Sequence, residues 1–89
     1  MADENQNKEA LKDAIQILEQ IAANNATPKT IKKSTIEMVN SLKNDEDSMS
    51  VRAANATSML DDITQDPNMP SFVRVSLWQA VSKLESIRE

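Results

Sequence analysis

The sequence has 14 carboxylate side chains, which are the first group that could carry chemistry. Asp61 and Asp62 are adjacent, residues 45–47 form an acidic run, and a shift of 42 residues aligns Glu19 with Asp61. Neighbouring residues of a helix point about 100° apart, so Asp61 and Asp62 cannot share a proton or a metal ion within one helix. The acidic run lacks the spacing and the glycine of a calcium-binding loop. We therefore interpret these acids as solvent-exposed side chains or helix caps.

The residue types that are missing exclude most other reaction centres. The 89 residues include no glycine, histidine, cysteine or tyrosine. Without histidine and cysteine, one chain cannot assemble the usual zinc sites, di-iron bundle sites, thiol nucleophiles or Ser-His-Asp relays. Without glycine, the phosphate-binding loops of nucleotide enzymes are also excluded. We therefore predict no catalytic residues, no metal and no cofactor, and we expect that the protein is not an enzyme.

Apolar residues recur at spacings of three and four in four separate segments, which predicts four helices and no strand. The first helix is expected from about residue 7 to residue 24. The second is expected to start at Thr27-Pro28, with Thr27 as N-cap and Pro28 as the first helical residue. The third is expected to be capped by Asp47, Ser48 or Ser50, and the fourth follows the break at residues 66–70.

The connections between these helices lack glycine, which commonly ends a helix in the left-handed conformation. Asparagine is the expected substitute, and Asn24, Asn25, Asn44 and Asn68 lie near the predicted breaks. In the last connection, Met69 lies between two prolines, and we expect its side chain to be exposed.

A shift of 42 residues aligns the first helix with the third and the second with the fourth. Leu18 then meets Leu60 and Pro28 meets Pro70, although two amphipathic hairpins of similar length would partly align by composition alone. We predict an all-α, four-helix up-and-down bundle made of two tandem helical hairpins. The hairpins cover about residues 7–43 and 49–88 of a single domain spanning 1–89.

Two resemblances follow from particular blocks of sequence. The Val-Arg pair of Phe72-Val73-Arg74, with the 42-residue period, resembles HEAT-type helical hairpins, although Val51-Arg52 offers a competing frame. Over essentially its whole length, the chain resembles a small archaeal family of uncharacterised four-helix-bundle proteins. The blocks that carry this second resemblance are Thr27-Pro28, 51–54 and 70–74. It implies a four-helix bundle and brings no catalytic or binding residues.

Charge alternates along the chain, because the first and third helical segments are acidic and the second and fourth are basic. Complementarity between neighbouring helices explains this alternation most simply. The alternative is a site for anions, because Lys29, Lys32 and Lys33 lie in the first turns of the second helix and Arg74 lies at the matching place in the fourth. These four residues are the candidate contacts for phosphate, RNA backbone or an acidic partner.

The fourth helix carries a second apolar group besides its core stripe. Phe72, Val75 and Trp78 point away from the stripe formed by Val73, Leu77 and their successors. Trp78 either covers an edge of the bundle or anchors a partner, since tryptophan is enriched among interface hot spots. These three residues are the candidate partner surface.

These patterns favour a non-catalytic protein-interaction or oligomerisation module, which would bind a protein partner or a second copy of itself. A nucleic-acid- or phosphate-associated protein ranks second, since the net charge of −4 argues against a broad nucleic-acid-binding surface. No signal peptide or membrane span is evident, so we expect a cytoplasmic protein without membrane contact.

Overall fold

The computed structural model describes residues 4–44 and 46–87, and these residues form four α-helices without a strand. The predicted all-α class is therefore confirmed. Asp45 of the acidic run and the predicted end of the second hairpin at residue 88 lie outside the described residues. The helices are α1 (Glu4–Ala23), α2 (Lys29–Lys43), α3 (Met49–Ile63) and α4 (Ser71–Glu85).

Proline begins both even-numbered helices in the same way. Pro28 has φ −56° and ψ 146°, Pro70 has φ −60° and ψ 145°, and each occupies the N-cap position. The carbonyl of Pro28 accepts from the N–H of Lys32 at 2.9 Å, and the carbonyl of Pro70 accepts from that of Arg74 at 3.1 Å. Because the extended ψ of Pro28 starts the helix one residue later than expected, the predicted capping role of Thr27 was wrong.

The third helix has a side-chain cap, as predicted for one of three residues. Ser48 is the N-cap of α3, and its Oγ accepts from the N–H of Val51 at 3.4 Å. Serine at this position satisfies one of the backbone donors that have no partner within the helix.

The connections close without the left-handed conformation, so the predicted role of asparagine was wrong in mechanism. No described residue has a positive φ. The side chains of Asn24 and Asn44 instead accept from the N–H two residues later, at 2.9 and 3.1 Å. Asp66 does the same for the N–H of Asn68 at 2.9 Å. Such Asx turns reverse the chain without requiring glycine.

The four helices surround one apolar core, with each helix packed against the next and α4 closing against α1. The α1 and α3 helices also touch across the core, while α2 and α4 make no such contact in the described part of the chain. Each of these two helices carries a completely buried alanine, Ala14 in α1 and Ala56 in α3. Six of the larger side chains are also completely buried: Leu18, Met38, Leu42, Leu60, Leu77 and Val73.

Met69 belongs to this core, so its predicted exposure was wrong. Its side chain is only 6% exposed, and its N–H donates to the carbonyl of Asp66 at 3.2 Å. The turn at Asp66 folds the segment between the two prolines back over the end of the bundle. A flexible thioether suits the irregular space beneath such a connection.

Ion pairs join α1 to both basic neighbours. Lys43 of α2 lies 3.3 Å from Glu19, and Lys83 of α4 lies 3.6 Å from Asp13. These contacts agree with the complementarity predicted between acidic and basic helices. None of the described helices is long and apolar enough to cross a membrane.

Candidate functional site

The outer face of α4 carries three large apolar side chains, which we call the α4 patch: Phe72, Val75 and Trp78. They are 46%, 49% and 56% exposed, respectively. Each is three residues from the next, so they step by about 60° around the helix and run diagonally across it. More than half of the Trp78 residue surface is therefore exposed.

The core stripe of α4 explains why the patch faces outward. Val73, Leu77 and Ala80 are completely buried and define the inner side of the helix. A helix that has turned one apolar face inward must present its remaining apolar residues to solvent. The wheel positions of the three residues were the sequence signal that separates them from the core stripe, and the structure shows that all three are exposed.

A small depression adjoins the patch on the α1 side, and we call it the Phe72 groove. Its volume is about 150 Å³. Phe72 and Ser76 line one wall, and α1 forms the other wall with Ile17, Gln20, Ile21 and Asn24. The patch thus combines a protruding indole with a partly apolar depression.

Two further exposed apolar residues lie outside the predicted site. Ile36 is 50% exposed on α2, beside a groove of about 400 Å³ between α1 and α2. Val51 is 46% exposed near the start of α3. The 42-residue shift pairs Ile36 with Trp78, which was the only sequence signal for this second exposed position.

The four basic candidates do gather at one end of the bundle. Residues Thr30 and Ile31 of α2 lie beside the end of α3, and Phe72 of α4 lies beside the end of α1. Both even-numbered helices therefore begin at the same end. Lys29 and Lys33 are exposed there, whereas Lys32 and Arg74 are half-buried.

Two features oppose the binding of an anion at this end. The guanidinium of Arg74 donates to the backbone carbonyl of Asp66 at 3.1 Å, so a connection already uses this side chain. Asp62 and Asp66 line the groove that contains Thr30 and Ile31 at the start of α2. Their negative charge offsets that of the nearby lysines.

The acidic residues show no arrangement suited to metal binding. Within residues 4–44 and 46–87, no three acidic side chains come together as a group that could hold a metal ion. Asp61 and Asp62 are both exposed at the end of α3.

Comparison with known proteins places the chain in a family. The model of an uncharacterised protein family, UPF0147, matches residues 1–87. A UPF0147 protein from Metallosphaera sedula is 42% identical over 83 residues, covering 93% of each chain. Another from Sulfurisphaera tokodaii is 37% identical over all 89 residues and covers both chains completely.

Solved structures of similar proteins have the same fold. The crystal structure of a UPF0147 protein from Thermoplasma acidophilum matches with a TM-score of 0.88 and 26% identity, over 94% of this chain and 99% of that one. The crystal structure of MMP1188, a protein of unknown function, matches with a TM-score of 0.87 and 38% identity, over 92% and 93% of the two chains. The likeness to HEAT-type hairpins stays a prediction, whereas the likeness to an archaeal four-helix family is confirmed: the chain belongs to the uncharacterised family UPF0147, which has archaeal members.

Proposed function

We propose that this protein is a non-catalytic interaction module that binds another protein surface through the α4 patch. The observation that carries the proposal is the exposure of Phe72, Val75 and Trp78 on one face of one helix. Monomeric proteins expose single apolar residues everywhere, but a contiguous group that includes a tryptophan is typical of binding surfaces.

The distribution of charge also supports the α4 patch as the binding surface. The exposed residues of α4 between 71 and 82 are uncharged: Ser71, Phe72, Val75, Trp78, Gln79 and Ser82. Depletion of charge, more than overall hydrophobicity, distinguishes the centre of a protein interface from ordinary surface. The exposed faces of α1 and α2 differ, because charged residues such as Lys12, Glu19, Lys33 and Glu37 lie along them.

Affinity purification of the tagged protein from its native cell, with and without nuclease, tests this proposal. The wild type is compared with Trp78→Ser and with the control Ile36→Ser, which removes an apolar side chain of similar exposure from α2. We expect bound protein that survives nuclease, is lost with Trp78→Ser and is retained with Ile36→Ser. Binding that nuclease abolishes, or that both variants retain, contradicts the proposal.

Binding of phosphate or nucleic acid at the basic end is a second candidate function. In its favour, α2 and α4 begin at the same end of the bundle, and neither has a side-chain cap or an acidic residue in its first turn. Their first N–H groups therefore offer partial positive charge beside Lys29 and Lys33. This function ranks second for two reasons. Arg74 already donates a hydrogen bond to the Asp66 carbonyl, and carboxylates lie beside the start of α2.

An NMR titration at low salt separates the two functions. Inorganic phosphate and a short RNA are added in separate experiments, and amide shifts are followed at residues 29–33 and at Arg74. Saturable shifts at these residues support the second function. Their absence leaves the α4 patch as the sole candidate surface.

A further inference from the structure

We propose that the partner of the α4 patch is a basic amphipathic helix of another protein, which lies along the groove between α3 and α4. Its apolar face contacts Trp78, and its cations meet the carboxylates at the two ends of this face. This inference rests on the proposed function, because it uses the same surface and names the chemistry of the partner. Amphipathic helices bind in this way when their apolar residues fill a groove between two helices.

The groove between α3 and α4, which we call the α3–α4 groove, has a volume of about 300 Å³. Its α3 wall includes the small side chains of Ser50, Ala54 and Thr57. Its α4 wall consists of Leu84, Glu85 and Ile87. Because the distance between packed helices depends on the side chains at their contact, the short α3 wall lets a third helix approach closely.

Trp78 and Glu85 lie on the same side of α4. They are seven residues apart, which is about 10 Å along the helix and about 20° around it. Glu85 lines the α3–α4 groove, so Trp78 stands two turns away on the same line. Phe72, by contrast, lines the Phe72 groove on the α1 side. One exposed indole, an apolar groove and one carboxylate therefore follow each other along the α3 side of α4.

The exposed charges of α3 and α4 are mainly negative. The exposed charged residues of these two helices are Asp61, Asp62, Lys83 and Glu85. Lys83 lies 3.6 Å from Asp13 of α1, so it is already paired on the other side of α4. None of the ion pairs between described residues involves Asp61, Asp62 or Glu85. Three carboxylates are therefore open to cations of a partner.

The two arginines of these helices already have acceptors. Arg52 donates to the carbonyl of Leu42 at 2.9 Å, and Arg74 donates to the carbonyl of Asp66 at 3.1 Å. Both arginines are half-buried, and the exposed residues over 49–60 and 71–82 are uncharged. The α3–α4 side thus has an uncharged centre, with Asp61 and Asp62 at one end and Glu85 at the other. An uncharged centre with a polar rim is the usual arrangement of a protein interface.

The charge of the whole chain favours the same class of partner. The net charge of −4 attracts a cationic segment and repels an acidic one, including a second copy of this chain. Opposite charges across an interface raise the rate of association and suppress wrong partners. We therefore expect a basic helix to bind where an acidic helix of the same apolar pattern does not.

Titration with a synthetic peptide of leucine and lysine tests this expectation. The probe is a helix-forming peptide of about 14 residues, with leucine at spacings of three and four and lysine elsewhere. The control peptide has glutamate in place of every lysine. Trp78 is the only tryptophan, so its emission reports binding. We expect saturable binding of the lysine peptide with a shift to shorter wavelength, weaker binding as salt is added, and no binding of the glutamate peptide.

Matched variants locate the site, and titration calorimetry measures them all. Glu85→Gln and the control Glu37→Gln each remove one exposed negative charge, but Glu37 lies on α2. Glu85→Gln should weaken binding of the lysine peptide by roughly two- to fivefold, and Glu37→Gln by less than about twofold. Trp78→Ser should weaken it by about tenfold or more, as for an interface hot spot, while Ile36→Ser should not.

Amide shifts of the wild-type protein locate the peptide even if the Trp78 variant folds poorly. We expect the lysine peptide to shift residues 50–62 of α3 and 74–87 in and after α4. Residues 36–43, beside the groove between α1 and α2, should not shift.

The results distinguish this inference from the proposed function. The basic helix is overturned if the lysine peptide does not bind, if both peptides bind equally, if Glu37→Gln weakens binding as much as Glu85→Gln, or if the shifts lie outside α3 and α4. If one of these results is found but a nuclease-resistant partner is still lost with Trp78→Ser, the proposed function stands and only the chemistry of the partner changes. If neither peptide binding nor partner capture depends on Trp78, both proposals fail.

Discussion

The guanidinium of Arg52, in the first turns of α3, donates a hydrogen bond of 2.9 Å to the backbone carbonyl of Leu42 near the end of α2. Arg74 occupies the same fourth position in α4 and donates to the carbonyl of Asp66 at 3.1 Å. Each arginine thus ties the start of its helix to the end of the preceding helix or its connection. The competing frames that Val51-Arg52 and Val73-Arg74 suggested in the sequence correspond to one structural role used twice.

We expect Arg52→Met to lower the free energy of unfolding by about 1–2 kcal/mol, because it removes the charged donor to the Leu42 carbonyl while keeping most of the apolar stem. The free energy of unfolding of Arg52→Lys should lie between those of the wild type and Arg52→Met, since an ammonium cannot reproduce the planar geometry of the guanidinium. Urea unfolding followed by circular dichroism measures both. A loss below about 0.5 kcal/mol for Arg52→Met would show that the bond is not needed to hold α3 against α2.

Met69 provides a second test of how the connections are held. We expect Met69→Ala to lower the free energy of unfolding by about 2–3 kcal/mol, because the side chain is buried and its removal leaves a cavity. Asn68→Ala is the matched control in the same connection, since that side chain is exposed and should change stability by less than about 0.5 kcal/mol. Thermal and urea unfolding of both variants give the comparison. Equal effects would place Met69 outside the core.

The sequence allowed the helices and the α4 patch to be predicted because both follow from periodicity. The helical wheel alone separates Phe72, Val75 and Trp78 from the buried stripe that includes Val73 and Leu77, so this separation required no tertiary information. The predicted start of α1 at about residue 7 was three residues late, because residues 4–6 are polar and carry no apolar signal.

The wrong predictions about Thr27, the asparagines and Met69 concern the connections between helices. Whether Asn24 and Asn44 use their backbone or their side chains depends on the path of the chain, which periodicity does not contain. The burial of Met69 and the bond from Arg74 to Asp66 depend on how that connection folds over the core. These are tertiary contacts between residues that have no regular spacing.

The completely buried alanine of α3 leads to a third prediction. Ala56→Leu should lower the free energy of unfolding by about 1–3 kcal/mol or more, because Ala56 is completely buried and a larger side chain must push the helices apart. Ala54→Leu places the same side chain on the exposed side of α3 and should change stability by less than about 0.5 kcal/mol. Denaturant unfolding of the pair measures the difference. If the core accepts Ala56→Leu without loss, the helices are less tightly packed there than the burial indicates.

The ion pairs between helices should contribute little to stability. Glu19 and Lys43 are each about half exposed, so Glu19→Gln should lower the free energy of unfolding by less than about 1 kcal/mol. The effect should shrink further in high salt, because screening weakens exposed pairs. Unfolding in low and high salt checks this. A large loss that persists in high salt would mean that Glu19 has another role in the contact between α1 and α2.

Replacing Thr27 or Thr35 by valine should change the free energy of unfolding differently, because only one of the two buried hydroxyls has a hydrogen-bond partner among the described residues. Thr35 Oγ1 donates to the carbonyl of Ile31 at 2.6 Å, whereas Thr27 Oγ1 is buried with no partner among the described residues. Thr27→Val should therefore raise the free energy of unfolding by about 1 kcal/mol, because it removes a polar group whose burial is uncompensated. Thr35→Val should leave it unchanged or lower it by up to about 1 kcal/mol, because it removes a hydrogen bond. Urea unfolding of the two variants compares them directly, and a loss of stability in Thr27→Val would mean that its hydroxyl forms a stabilising hydrogen bond in solution.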